Sequence, residues 1–442
     1  MQSKDIIVAP ATALGGAIAV IRLSGEGAVA LCDSIFKGRK PLSEAKSHTI
    51  HYGTICDGER VVDDVVVAVF RAPHSYTGEE SVEISIHGSR YIAQEVIRLL
   101  CEQGARMAEA GEFSQRALAA GRIDLSQAEA VADLIAAESH AAHAVASTQM
   151  RGGYSEMLEG LRKELLNITT LLELELDFSE EDVEFANRAK LHEMLKHTDS
   201  MVTRLMESFK VGNAIREGVA VAIVGRPNVG KSTLLNRLVG DDRAMVSDIA
   251  GTTRDTIEES VVIDDIKFRF VDTAGLHDTD DKLEKMGIER TERAISQAQI
   301  ILYVTEANCQ GLEIPQLSEN QNLIVVANKM DLVAERTIDG AIYISARSGE
   351  GVDELRNALR ATIDTEGLYH GEVVVSNMRH FEALSRAHNA LQAALSALEN
   401  GLSEELLSED IRSAINALAE ITGKITSDDI LNNVFANFCI GK

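Results

Sequence analysis

Val219–Val224 (VAVAIV) runs directly into Gly225-Arg226-Pro227-Asn228-Val229-Gly230-Lys231-Ser232, and this stretch decides the reading of the chain. A continuous apolar run of this length is typical of a strand buried on both faces of a parallel sheet. The octapeptide has the form G-x-x-x-x-G-K-S, and the amphipathic Thr233–Val239 follows it. A strand, this spacing and then a helix define a phosphate-binding loop. Its glycines let the backbone curl so that N–H groups point at phosphate oxygens. The helix adds its positive N-terminal end. Lys231 is expected to neutralise the β and γ phosphates, and the Ser232 hydroxyl to ligate Mg²⁺.

Four companions lie further along the chain. Asp272-Thr273-Ala274-Gly275 follows the strand-like Lys267–Val271. Its Asp would reach Mg²⁺ through water, and its Gly would bring a backbone N–H to the γ-phosphate. Asn328-Lys329-Met330-Asp331 follows the strand-like Leu323–Ala327. A carboxylate at Asp331 accepts two hydrogen bonds from guanine, whereas adenine would leave a buried charge unpaired, so the base should be guanine. Ser345-Ala346-Arg347 closes the base pocket, with the Ala346 N–H expected at guanine O6. Gly251-Thr252-Thr253-Arg254-Asp255 lies between the phosphate loop and Asp272, where a threonine can sense the γ-phosphate. Motifs in this order place a ligand at the carboxyl ends of parallel strands.

The means of hydrolysis is less conventional. Ras-like proteins use a glutamine soon after the equivalent of Gly275 to orient water; here Leu276 follows and cannot do so. Arg226 and Arg254 are nearby but have no obvious finger position. Asn228 either forms a turn or helps hold a monovalent cation, whose charge would replace an arginine's. Glu284 and Glu289, on an expected helix, could orient water.

Strands and helices alternate from Gly218 to about Ile363, which suggests an α/β sheet. Upstream, residues 1–120 read as mixed α and β, with strands at Ile18–Leu23, Val65–Phe70 and Val82–Ile86 and a helix at Tyr91–Gln103. Residues 6–21 could pass for a signal-peptide core, but Asp5, Pro10 and Gly15–Gly16 argue for two short strands around a turn. Residues 121–215 read as helical, with stripes at Leu158, Leu161, Leu165, Ile168, Leu172 and at Leu191, Leu195, Val202, Leu205, Phe209. After a linker-like 364–375, helical spacing returns at Phe381, Leu384, Leu391, Leu395, Leu398 and at Ile411, Ile415, Leu418, Ile421. Two helical blocks around an α/β unit suggest one helical domain with a second domain inserted into it.

The 442 residues suffice for two or three domains. A net charge of −26 argues against a broad cationic surface, so RNA binding would need a local patch or a basic partner. The five cysteines form no C-x-x-C pair, so neither a disulfide framework nor a zinc site is expected. No stretch reaches the ~20 apolar residues of a membrane span, and a reducing, cytoplasmic location fits.

The chain resembles the MnmE, or TrmE, family of tRNA-modification GTPases over nearly its whole length. GRPNVGKS, GTTRD, DTAGL and NKMD are shared with other GTPases of the translation-factor class. More particular are HSYTGEE at 74–80, GEFSQRAL at 111–118, GRIDLSQAEAVADLI at 121–135 and TSDDILNNVFANFCIGK at 426–442. The resemblance implies a multi-domain α/β protein. It has an N-terminal α+β folate-binding-like and dimerisation domain (1–120) and a helical domain in two halves (121–215 and 376–442). Between the halves is an inserted Ras-like GTPase domain (216–375), a parallel sheet with helices on both faces. It further implies a homodimer working with FAD-dependent MnmG on tRNA. The reaction is addition of an aminomethyl or carboxymethylaminomethyl group at C5 of the wobble uridine. The one-carbon unit would come from 5-formyltetrahydrofolate or a related tetrahydrofolate.

By the same resemblance Asn228 matches the K⁺-binding asparagine. The loop of Ser247, Asp248, Ile249, Ala250, Gly251, Thr252 and Thr253 matches the K-loop, with Ser247, Ile249 and Thr252 adding oxygens for K⁺. Ser232 and Thr253 match the Mg²⁺ ligands and Glu284 the water-orienting glutamate. Arg22, Glu83, Arg122 and Lys442 match folate-site positions, and Cys439 the C-terminal cysteine. Two departures stand out: a glycine-rich segment shortened to Ala13-Leu14-Gly15-Gly16, and Arg122 where lysine is common. A ribosome-assembly GTPase shares the nucleotide motifs but would normally carry a basic RNA-binding appendage. A third reading is a one-carbon-binding module with a purely regulatory GTPase.

Overall fold

A computed structural model describes residues 5–177, 188–240, 259–271, 294–309, 311–312, 314–318, 321–333, 335–363, 373–436, 438 and 441. By density of internal packing the chain divides into two compact units. One comprises Met1–Ala132, Gln149–Lys163 and Ile415–Lys442, the other Asp133–Thr148 and Glu164–Ala414.

The first unit is built on a seven-stranded sheet in the order β3-β4-β5-β6-β2-β1-β7. Its strands are β1 (Ile7–Pro10), β2 (Ile18–Ser24), β3 (Phe36–Gly38), β4 (Thr49–Asp57), β5 (Arg60–Phe70), β6 (Ser81–His87) and β7 (Arg106–Met107). Residues 6–21 thus supply a strand, a turn and most of a second strand. Ala19, Ile21, Leu23, Val65, Val67, Val69, Val82, Ile84 and Ile86 alternate onto one face and pack against helix Arg90–Glu102. The other face keeps large apolar side chains in view: Ile18, Ile50 and Tyr52 are about 70% exposed. Helix Leu125–Ala136 packs Leu125 and Ala128 against Phe435 and Phe438, so residues from both helical blocks share this unit.

The second unit holds a six-stranded sheet in the order β13-β12-β11-β8-β10-β9. Its strands are β8 (Val219–Val224), β9 (Glu259–Ile263), β10 (Ile266–Phe270), β11 (Ile300–Glu306), β12 (Asn322–Asn328) and β13 (Ile342–Tyr343). Neighbours are parallel except β9 and β10, which form an antiparallel hairpin. Asp264 and Asp265 both take positive φ (45° and 67°), as a two-residue hairpin turn requires. Core clusters cover both faces. One holds Leu234, Leu235, Leu355 and Leu359 from the helices Lys231–Gly240 and Val352–Ala361, and the other holds Ala294 and Ala298.

Helices Arg188–Glu217 and Met378–Glu399 pack antiparallel: Phe209 stacks on Phe381 with ring centroids 4.6 Å apart, and His192 reaches Glu399 at 3.1 Å. Between them the buried Asp199 accepts from Gln392 and pairs with His388 Nδ1, both at 2.7 Å. The leucine stripe of the second helix is partly replaced. Ala394 and Ala397 are buried while Leu395 and Leu398 are half-buried, since small residues admit a closer helix approach. The linker-like segment is likewise packed at its end, where Val375 is buried and its N–H donates to Ser208 Oγ at 3.0 Å. Residues 364–372 lie outside the described residues.

Helix Arg188–Glu217 joins β8 through Gly218 alone. Gly218 has φ 83°, and a Cβ there would lie 3.1 Å from the Lys267 carbonyl oxygen. Two ion pairs clasp this joint, Arg216 to Asp133 and Lys267 to Glu138, each at 2.8 Å. They border a cavity of about 190 Å³. Among the described residues no helix is long and apolar enough to cross a membrane.

Candidate nucleotide and folate sites

The parallel strands β8, β11, β12 and β13 end on one edge of the sheet, and the motif residues 225–232, 328–331 and 345–347 gather there. Gly225 leaves β8 with φ 150°, and a Cβ on it would sit 2.1 Å from the Val304 carbonyl oxygen on β11. Only glycine lets the loop turn over its neighbouring strand. Asn228 continues the curl with φ 64°, a left-handed position that Asn tolerates better than most residues. Lys231 Nζ donates to the carbonyls of Gly225 (3.0 Å) and Arg226 (2.9 Å), so the loop wraps the ammonium. Burial lowers the Lys231 pKa by disfavouring its charged form. A phosphate dianion would reverse that bias. The cradle of carbonyl-satisfied ammonium, curled backbone and helix N-terminus fits a phosphate with its metal ion. Ser232 and Thr233 open the helix at this point.

Asn328 ties the loops together. Its Nδ2 donates to the Val229 carbonyl at 2.7 Å, and its Oδ1 accepts from the Ala346 N–H at 2.9 Å. Here the structure amends the expectation for Ala346: its N–H already serves Asn328, so a guanine O6 would share that hydrogen. Lys329, also left-handed at φ 64°, donates from Nζ to the Asn228 carbonyl at 3.0 Å and pairs with Glu306. Asp331 is exposed in the 3₁₀ turn Met330–Leu332, free to meet a base. Ser345 and Ala346 are buried and Arg347 exposed. Arg237, which no sequence motif marks, donates to the Arg347 carbonyl at 2.7 Å and so braces the base loop from the phosphate-loop helix.

Ser247, Asp248, Ile249, Ala250, Gly251, Thr252, Thr253, Arg254, Asp272, Thr273, Ala274, Gly275, Glu284 and Glu289 lie outside the described residues. Of the expected K⁺ ligands only Asn228 is described, exposed on the loop. Among the described residues no group of three or more His, Cys, Asp or Glu could hold a metal ion.

In the first unit Arg22 and Glu83 face each other across β2 and β6. Arg22 donates to Glu83 Oε1 from Nε at 2.9 Å, with Nη2 at 2.8 Å from the same oxygen. Its Nη1 donates to the Gly441 carbonyl at 3.3 Å. The guanidinium carbon lies 5.9 Å from the Tyr76 ring centre and 5.7 Å from that of Phe113. The exposed Arg122 runs its methylenes beside Gly78, where an added Cβ would be 3.4 Å from Arg122 Cγ. Lys442 and Cys439 lie outside the described residues. Tyr76 is exposed beside this charge, whereas Phe113 is fully buried behind it. Tyr76 and Phe113 were not singled out in sequence, although both belong to the strings HSYTGEE and GEFSQRAL.

A phosphate loop on β8, a base-reading loop after β12 and a closing loop after β13 define the P-loop GTPase class. The sequence model of the MnmE helical domain matches residues 125–439, and that of the GTP-binding protein TrmE N-terminus matches residues 6–122. The chain is 48% identical to the tRNA modification GTPase MnmE of Flavobacterium johnsoniae, covering 100% of both proteins. It is 47% identical to that of Bacteroides thetaiotaomicron, again covering 100% of both. The chain belongs to the MnmE family of tRNA modification GTPases. Among solved structures it is similar to the FeoB G-domain from Methanococcus jannaschii, 24% identical over 32% of this chain and 94% of that one. The TM-score is 0.23.

Proposed function

We propose that this chain is a K⁺-activated GTPase of tRNA modification. It hydrolyses GTP to GDP and phosphate. With an FAD-dependent partner of the MnmG kind it adds an aminomethyl or carboxymethylaminomethyl group at C5 of the wobble uridine in certain tRNAs, in the cytoplasm. The observation that carries the reading is the phosphate loop wrapped around Lys231 and joined through Asn328, which bonds Val229 and Ala346, to the base-reading and closing loops. In this reading residues 216–375 are the GTPase domain, set into a helical domain of 121–215 and 376–442, with 1–120 as the folate-binding and dimerisation domain.

Lys231 exchanges its two carbonyl partners for the β and γ phosphates and draws negative charge into the curl of the loop. Asp331 holds the base. Glu284 orients the attacking water. Ser232 and Thr253 would hold Mg²⁺, which would supply charge neutralisation at the phosphates, and K⁺ at Asn228 would supply more. Arg22, Glu83, Arg122 and Lys442 would hold the tetrahydrofolate that provides the one-carbon unit. The exposed apolar face formed by Ile18, Ile50, Tyr52 and Val66 supports a homodimer, since patches of this kind mark protein contacts. The chain's acidity, −26 overall, favours a partner that supplies part of the tRNA-binding charge.

The test is GTP turnover by the purified protein in KCl and in NaCl at matched ionic strength. Strong stimulation by K⁺, lost in Asn228→Ala, is the expected result. Equal rates would remove the cation from the mechanism and leave a separate activator to be found. In a second measurement, Glu284→Ala should bind GTP normally and slow hydrolysis by about a hundredfold, the usual scale for a lost acid–base group. A wild-type rate would take Glu284 out of the reaction.

A further inference from the structure

We propose that Glu306 is a positioning residue for the phosphate-binding loop, acting through Lys329 on Asn228. Glu306 ends β11 and stands in register with Asn328, which ends β12. The Ala307 N–H donates to the Asn328 carbonyl at 2.8 Å, so the two strand ends are fixed to each other. From that fixed point the Glu306 carboxylate binds Lys329 Nζ, and the same ammonium donates to the Asn228 carbonyl at 3.0 Å.

A lysine ammonium is a point charge on four flexible methylenes with three donors. A single backbone carbonyl is a weak anchor for it, and phosphate charge nearby would compete for it. The carboxylate supplies the opposing pull that holds Lys329 across the loop. What it holds there is a strained turn: Asn228 and Lys329 both have φ 64°. Such positions persist when their surroundings over-determine them. Asn328, bonded to Val229 and Ala346, secures the residue after Asn228, whereas the Asn228 carbonyl is secured by Lys329. Lys329 and Glu306 are 36% and 40% exposed, so the pair contributes little as a bare salt bridge. Its role is geometric: it fixes the peptide between Asn228 and Val229, next to the carbon that bears the Asn228 side chain.

This inference rests on the GTPase reading, and its consequence for cations rests on the proposed role of Asn228. The test compares Glu306→Gln and Glu306→Asp with the full-length parent. One arm is a KCl titration of GTP turnover. The other is hydrogen exchange of the 225–232 amides without nucleotide. Glu306→Gln should raise the K⁺ concentration for half-maximal stimulation about fivefold, the scale of one modest interaction, and speed exchange around Asn228. Glu306→Asp should recover most of both. An unchanged K⁺ response and unchanged exchange in Glu306→Gln would overturn the proposal while leaving the GTPase reading intact. A parent that turns over equally in K⁺ and Na⁺ would overturn the cation role of Asn228, and the exchange arm alone would then decide for or against Glu306. A parent that does not bind GTP would sink both readings.

Discussion

Asp331→Asn is expected to weaken GTP binding at least about a hundredfold and to shift preference toward xanthosine triphosphate. The carboxylate offers two acceptors to the guanine N1–H and exocyclic amine. An asparagine turns one acceptor into an N–H donor, which faces the amine donor-to-donor. Xanthine carries an oxygen in place of that amine and matches the new pattern. Asp331 is exposed and its turn is set by Lys329 and Met330, whose N–H donates to the Ile344 carbonyl at 3.0 Å. The substitution should therefore leave the fold alone. Competition binding with GTP, ATP and xanthosine triphosphate reads the result. Unchanged discrimination would remove Asp331 from the base pocket.

Gly225→Ala should be the most damaging single methyl in the phosphate loop. The added carbon would lie 2.1 Å from the Val304 carbonyl oxygen, against backbone rather than a movable side chain, at a φ of 150° that L-residues avoid. Either β8 and β11 separate or the loop uncurls. An expected loss of about 3 kcal/mol corresponds to a fall of roughly 10 °C in the unfolding transition of the nucleotide sheet. GTP binding should be lost as well, because the Gly225 carbonyl helps cradle Lys231. Calorimetry with and without GDP separates the two effects. A parent-like transition with normal nucleotide affinity would show that the close approach of Gly225 to Val304 is unimportant.

The sequence made β8 and β12 plain, because continuous apolar runs followed by Gly225 and Asn328 leave few alternatives, whereas β11 between them was not marked. It hid β4. There Ile50 and Tyr52 sit on the exposed face while Gly53, Ile55 and Cys56 are buried, so hydrophobic alternation does not mark the core side. It hid β9 because the Asp264–Asp265 turn reads as a polar break, not as a hairpin. Motif residues were legible one by one, yet their junctions were not. The bond from Asn328 to Val229 spans 99 positions, and nothing near Glu306 or Arg237 in the chain announces a partner. Arg22 and Glu83 were named only through the family resemblance, and the pairing that the register of β2 and β6 gives them was not legible.

The single glycine between helix and phosphate strand gives the molecule a lever. Helix Arg188–Glu217 has 30 residues, a rod of about 45 Å, and Gly218 would be its pivot on β8. A tilt of about 5° at that pivot carries the far end through roughly 4 Å at this length. Strain of a few tenths of an ångström beside the phosphates would thus be magnified along a stiff arm, with the Arg216–Asp133 and Lys267–Glu138 clasps setting how freely it swings.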